Sequence, residues 1–344
     1  MNSAYIWSAG VRSNRGITDG ENREKGEIIM PGIWTMGELL VEIMRPQEDV
    51  ELYTTGEFRG PFPSGAPGIF ISTAARLGHR AGIISGVGDD DFGRNILDRL
   101  KKDGVNCEYV LESQTGVTGA AFVTYFSSGE RKFIFHINHT PAVEAKSPEE
   151  LSDEMKGADF FHIMGCSLMP SVEFGKEILS TIYKFKKNGS KISFDPNVRL
   201  EMLKDPTVYK VIKEVYENSN IFMPGISELK MITKEDDVNK AIQKAFENES
   251  MQVLVLKNGS KGSRIYTRNG LEVEQSIYPV QEVDPTGAGD SYDAAFLCGL
   301  AEGKSLADAA KMGAAAGALN AAAFGPMEGH INPDTVKKMI DDNE

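Results

Sequence analysis

The sequence predicts an α/β protein: an open, mostly parallel sheet covered by helices on both faces, with a small β lid. Three observations lead there. From residue 158 onward, short apolar strands alternate with long helical stretches, the rhythm of parallel βαβ units. Loops rich in Gly, Pro, Asp and Asn follow the strands: PSGAPG (63–68), GVGDDDFG (86–93), DPNVR (195–199), PGISE (224–228), KNGSKG (257–262) and DPTGAGD (284–290). Two β-alternating segments, 50–62 and 117–137, break the rhythm and predict the lid.

Taken in order, residues 33–44 read as one buried strand with a Gly-Glu turn, and 50–58 (VELYTTGEF) as a strand with one wet face. GPFPSGAPG (60–68) reads as a Pro/Gly loop, and IFISTAARLG as a helix stopped by Gly78. AGIISGVG (81–88) is a short apolar strand, and the Asp-rich start and Gly104 stop of the next segment mark a capped helix. Residues 119–126 and 132–137 form a hairpin across Ser127–Glu130. ADFFHIMG, KISFDPN, SNIFMPG and QVLVLKNG are strands, with helices predicted at 171–187, 206–217 and 226–246. A hairpin follows QVLVLKNG, and 287–342 is almost all helix. Residues 1–30 carry no apolar run and read as a flexible extension, leaving 31–344 as one domain.

Composition excludes several classes. The 344 residues are 41% hydrophobic and 25% charged, enough for a full core without disulfide or metal staples. A net charge of −13 without a long Lys/Arg run argues against a nucleic-acid partner. No apolar run approaches the roughly 20 residues of a membrane span. Cys107, Cys166 and Cys298 are an odd set without C-x-x-C, which fits a reducing cytoplasm. His136, His139, His162 and His330 lack the spacing of a structural metal site.

In open parallel sheets, ligands bind beyond the carboxyl ends of the strands, so chemistry is expected in the loops just named. DPTGAGD is the most specific. Asp284-Pro285 stops a strand, Gly287-Ala288-Gly289 carries no bulk, and a helix opens at about Asp290. Amides at a helix start form an anion hole, and a carboxylate at its mouth can take a proton from an attacking hydroxyl. Phosphoryl transfer needs that pair. Read alone, Asp290 is a helix N-terminal carboxylate worth about 0.3–1 kcal/mol. Arg199, at the end of DPNVR, has the fork to grip a phosphate. Asp89, Asp90 and Asp91 sit at a helix start, where capping is the better reading than metal binding. Tyr125, Phe133 and Phe135 alternate along the hairpin, as packing or as the roof of a ligand.

DPTGAGD resembles the D-T-x-G-A-G-D signature of the PfkB (ribokinase-like) carbohydrate kinases, with Pro285 in place of the usual threonine. The similarity spans about residues 33–340 and six pieces in the family's order: Gly37-Glu38, GVGDDDFG, the hairpin lid, DPNVR, K-x-G-x-x-G and the G-A-G-D helix. It implies a ribokinase-like three-layer α/β/α sandwich and ATP-dependent phosphorylation of a sugar hydroxyl. Asp290 would be the base, with the amides of Gly287, Ala288 and Gly289 the anion hole and Arg199 over the transferred phosphate. Lys257, Gly259, Gly262, Ser227, Glu228 and Ala314 would face the nucleotide. Glu228 would place Mg²⁺ through water, although Gly225 replaces the asparagine of the family's N-x-x-E. Glu42, Gly65, Arg131, Asn197 and Asp290 would hold the sugar.

The family's sugar-binding asparagine is here Ile69, a departure that changes which hydroxyls can be satisfied. Relatives often bind a monovalent cation such as K⁺ beside the anion hole, here at Asp284, Thr286, Asn320 and Gly325. They also often pair through their lids, which implies a homodimer. GPFPSGAP resembles the same loop of tagatose kinases, and Pro326 follows Gly325 where keto-acid kinases keep an acidic residue. A ketohexose, tagatose or fructose, is therefore expected, with 2-keto-3-deoxygluconate or another sugar or nucleoside as the alternative. A catalytically silent sensor is opposed by the intact G-A-G-D. A dinucleotide oxidoreductase is opposed by the absence of a fingerprint glycine loop after the first strand.

Overall fold

A computed structural model describes residues 32–344 apart from Leu200, Glu201 and Lys204. The extension expected over 1–30 lies outside the described residues. β1 (Gly32–Met36) is wholly buried, and the chain then crosses through Gly37–Leu39 to β2 (Leu40–Met44) in a second sheet. The single strand expected over 33–44 is thus two strands in two sheets. Packing forces the break: a Cβ on Gly37 would lie 2.3 Å from Ser167 Oγ and 2.4 Å from Pro67.

The segment 50–58 is a loop, not a strand. Its carbonyls fold around the buried guanidinium of Arg45, which donates to Glu57 O at 3.1 Å, Glu51 O at 3.2 Å and Thr54 O. Phe58 stacks beneath that guanidinium at 3.9 Å. Three carbonyl acceptors for one buried cation outweigh the local β alternation. Conversely, the expected Pro/Gly loop is partly β3 (Arg59–Ser64), the outer strand of the lid. An edge strand tolerates proline, because the missing N–H costs no ladder bond on its outer side.

Next come α1 (Ala66–Arg76), β4 (Arg80–Gly88), α2 (Asp91–Asp103) and β5 (Val105–Ser113). Asp90 caps α2 by accepting from Gly93 N at 2.8 Å, and Gly104 ends it in the left-handed conformation. The hairpin β6 (Gly119–Tyr125) and β7 (Arg131–His136) completes the lid, in the order β3-β2-β6-β7. Two short turns, α3 (Pro141–Glu144) and α4 (Asp153–Lys156), lead back to the main sheet.

There the alternation is as expected: β8 (Ala158–Met164), α5 (Val172–Lys187), β9 (Lys191–Asp195), α6 (Val208–Glu217), β10 (Ile221–Phe222), α7 (Ile226–Thr233), α8 (Val238–Ala245) and β11 (Val253–Lys257). The hairpin β12 (Ser263–Thr267) and β13 (Gly270–Gln275) precedes α9 (Ala288–Ala301), α10 (Leu306–Ala321) and α11 (Pro333–Asp341). The main sheet runs β13-β12-β11-β10-β9-β8-β1-β4-β5, parallel from β11 to β5.

Each core lies on one face of that sheet. Ile33, Ile83 and Val255 pack against α1, α2, α9 and α10, while Trp34, Phe161 and Leu254 pack against α5, α6 and α8. Alternate residues of one strand therefore serve opposite helix layers, as a sheet buried on both sides requires. The carboxyl ends of β8, β9 and β11 and the opening of α9 meet beneath the lid.

Candidate active site

Two backbone features build the floor. Gly287 opens α9 with φ +80°, and a Cβ there would lie 2.5 Å from Pro326 O, so the position demands glycine. Gly65 opens α1 with φ +98°, a Cβ meeting Glu38 O at 2.5 Å. Neither helix carries a side-chain cap, so first-turn amides of α9 stay available to an anion. The amide of Ala288 is turned to Pro285 O at 3.2 Å.

Asp290 sits in the first turn of α9, 8% exposed. Asn197 Nδ2 donates to its Oδ1 at 3.1 Å. Asn197 follows the strand end Asp195-Pro196 with φ +38°, a conformation asparagine tolerates, and its amide donates to Asp195 Oδ1 at 3.1 Å. Burial, and then the nearby Asp195 charge, push the Asp290 carboxyl up to about 7. A base of that strength is half ionised near neutrality.

A cavity opens above. Glu42, Arg131, Phe133 and Phe135 of the lid face Gly65, Ile69, Arg199, Gly287 and Asp290. Glu42 is buried; Ser64 donates to its Oε2 at 2.8 Å, while Oε1 has no protein partner. Burial pushes its carboxyl up to about 7. Phe133 and Phe135 stack at 5.3 Å, and the guanidinium carbons of Arg131 and Arg199 both lie 6.0 Å from the Phe133 ring. The hairpin aromatics therefore divide: the two phenylalanines line the cavity. Tyr125 turns its hydroxyl to Asp284 Oδ1 at 2.9 Å and Thr286 Oγ1 at 2.6 Å.

The four residues expected beside the anion hole are brought together. Asp284 accepts from Thr286 N and Gly325 N, each at 3.0 Å. Asn320 Nδ2 donates to Thr286 O at 2.7 Å, leaving its buried Oδ1 without a protein partner.

The expected nucleotide side is more scattered. Glu228 accepts from Val198 N and Gly225 N, both at 2.7 Å, so it braces the DPNVR loop and its own helix start. Ser227 is exposed in the same turn, Gly259 faces open space, and Gly262 packs against Gln275 O. Ala314 is buried on α10. The Lys257 ammonium points inward, to Asp195 Oδ2 at 2.8 Å and to both oxygens of Asp293 at 2.8 and 3.1 Å.

Two groups were given no site role from the sequence, although Glu38 belongs to the Gly37-Glu38 piece of the family pattern. Glu38, buried in the wall of the cavity, accepts from Ser167 Oγ and from Cys166 Sγ at 3.1 Å. Asp293 is a second acid one turn beyond Asp290, just before the apolar run AAFLCGLA of α9, and that placement was the available signal.

The description of the pfkB family of carbohydrate kinases matches residues 37–332. Probable fructokinase-5 of Arabidopsis thaliana is 32% identical over 280 residues, 81% of this chain and 85% of that protein. Fructokinase-2 of Oryza sativa subsp. japonica is 28% identical, over 79% of this chain and 80% of its own length. Among solved structures, an E. coli chain assigned as ribokinase II, in complex with ATP and Mg²⁺, is 35% identical with a TM-score of 0.84, covering 91% of this chain and 100% of its own. A Vibrio cholerae fructokinase with fructose, ADP and calcium is 22% identical, TM-score 0.79, over 90% of this chain and 99% of that one, a likeness of fold.

Proposed function

This chain belongs to the pfkB family of carbohydrate kinases and is an ATP-dependent sugar kinase, and we propose that its acceptor is a ketohexose, tagatose or fructose, with Asp290 as general base. The carrying observation is the placement of Asp290: a buried carboxyl at an uncapped helix start, facing a lidded cavity and held by Asn197 at 3.1 Å. The fructokinase names of the plant relatives support the ketohexose.

In this reading the sugar lies under the lid, with hydroxyls on Glu42 Oε1 and on Asn197 and its rim bounded by Gly65 and Arg131. Asp290 takes the proton of the attacking hydroxyl as its oxygen bonds to the γ-phosphorus and the bond to ADP breaks. Amides of Gly287 and Gly289 and the Arg199 guanidinium stabilise the charge on the moving phosphoryl, while the Ala288 amide is held by Pro285 O. ATP lies along the loops of Ser227, Glu228, Lys257, Gly259 and Gly262 and against α10 at Ala314. The lid excludes water from the transfer.

Mg²⁺ fits Glu228 through water, since each carboxylate oxygen spends one lone pair on a backbone amide and keeps another. When bound it neutralises phosphate charge. A monovalent cation such as K⁺ fits beside Asp284, Thr286 and Gly325, where Asn320 Oδ1 is buried and unpartnered. The open edges of the lid, β3 and β7, support a homodimer through the lid. Three unpaired cysteines support a cytoplasmic location.

The test is release of ADP from ATP and Mg²⁺ over a panel of ketohexoses, aldoses, 2-keto-3-deoxygluconate and nucleosides. Highest kcat/KM on tagatose or fructose is expected; a preference for a keto acid or a nucleoside would overturn the ketohexose.

A further inference from the structure

Lys257, Asp293 and Asp195 form a buried ion triad behind the anion hole. The Lys257 side chain is 18% exposed, that of Asp195 5%, and that of Asp293 not at all. Charges buried this deeply are costly, and apolar residues would serve packing as well or better. The rest of α9 uses Ala, Phe and Leu for that purpose. What a triad adds is direction, because its bonds have defined partners and angles.

The three residues come from three elements. Lys257 ends β11, Asp195 ends β9, and Asp293 lies on α9, one turn beyond Asp290. From the ammonium the bonds run onward without a gap. Lys257 Nζ donates to Asp195 Oδ2 at 2.8 Å, Asn197 N donates to Asp195 Oδ1 at 3.1 Å, and Asn197 Nδ2 donates to Asp290 Oδ1 at 3.1 Å. The same ammonium grips Asp293 through both oxygens. It thus ties the helix bearing the carboxylate to the strand end bearing that carboxylate's hydrogen-bond partner. It also stands behind the amides, 3.9 Å from where a Cβ of Gly289 would be.

We infer that Lys257 and Asp293 are positioning residues, which dock the first turn of α9 onto the ends of β9 and β11 and so aim Asp290 at the acceptor hydroxyl. The inference rests on Asp290 being the base. It gives the lysine of K-x-G-x-x-G a task on the side of the loop away from the nucleotide.

The experiment compares Asp293→Asn, Lys257→Arg and Lys257→Met with Asp290→Asn in the full-length protein. It measures kcat and KM for ATP and sugar, the Kd of a non-hydrolysable ATP analogue, and thermal melting. Asp293→Asn should lower kcat about ten- to a hundredfold, the scale of a misplaced reacting group. Its analogue Kd should stay within about threefold, and a cooperative melt should be retained. Lys257→Arg should recover more kcat than Lys257→Met. If Lys257→Met does not fold, Asp293→Asn and Lys257→Arg decide.

A folded Asp293→Asn with wild-type kcat, beside an inactive Asp290→Asn, would overturn the positioning role and leave the base intact. Lys257 variants that weaken analogue binding at unchanged kcat would instead make the lysine a nucleotide ligand and overturn it too. An active Asp290→Asn would remove the base itself, and the positioning role with it.

Discussion

The hydroxyl of Tyr125 donates to Asp284 Oδ1 at 2.9 Å, fastening the lid to the loop that opens α9. Tyr125 ends lid strand β6, and Asp284 lies six residues before the catalytic-base candidate Asp290. Thr286 shares the contact at 2.6 Å and immediately precedes Gly287, so lid and anion hole are joined through one phenol.

Tyr125→Phe removes that junction while keeping the ring. Asp284 Oδ1 still accepts from Thr286 N, so no buried acceptor is orphaned and the loss should be about 0.5–1.5 kcal/mol in stability. Transfer to sugar should fall further than that, and ATP hydrolysis without sugar should rise relative to it. Steady-state kinetics with and without sugar separates the two, and equal changes in both rates would deny the lid any coupling to the anion hole.

Asp290→Asn keeps the shape and removes the proton acceptor. Turnover should drop by about 10²–10⁴, the usual worth of a general base. Affinity for an ATP analogue should be nearly unchanged, as calorimetry would show. Unchanged turnover would refute the assignment.

The pH dependence follows from the Asp290 carboxyl being raised to about 7. The base acts when ionised, so kcat/KM should climb as pH rises from 5 and level off above about 8. Stability moves the other way. A carboxyl whose folded pKa exceeds its unfolded value of 3.8 contributes fully below that value, and the contribution is lost as pH rises through 7. Asp290→Asn should therefore stabilise the protein more at pH 8 than at pH 5, by about 3 kcal/mol at most, read as a larger rise in melting temperature at pH 8. A stabilisation equal at both pH values would contradict the raised pKa.

Glu42→Gln tests the sugar side. The amide retains size, but its NH₂ replaces one acceptor in a site where Oε2 already takes the Ser64 hydroxyl and Oε1 is unpartnered. The sugar KM should rise about tenfold or more, consistent with about 1.5–3 kcal/mol for a hydrogen bond to a charged group. The ATP KM should hold. A sugar KM within about twofold of wild type would place Glu42 outside the sugar site.

Much of the molecule was legible in order along the chain. The alternation of strand and helix from 158 to 257, the capped helix at Asp90 and the hairpin at 119–136 all depend on local periodicity and local capping. They stand where they were expected. The G-A-G-D turn was legible for the same reason: the left-handed Gly287 and the acid in the first turn of the helix it opens lie within four consecutive residues. The lid's first half was not. Glu51, Thr54 and Glu57 look like a strand until a buried Arg45 claims their carbonyls, and the prolines of β3 look like a loop until an edge position excuses them.

From one-dimensional information came the layer architecture, the loops that carry chemistry and the acid at the helix start, because each is written in neighbours within a few residues. Which way Lys257 points, that Tyr125 leaves the aromatic face to hold Asp284, and that Asp293 meets Asp195 through the Lys257 ammonium were settled only when distant segments packed. Those partners are 36, 159 and 98 residues apart in sequence, and their pairing is decided by burial of charge, a property of the assembled interior.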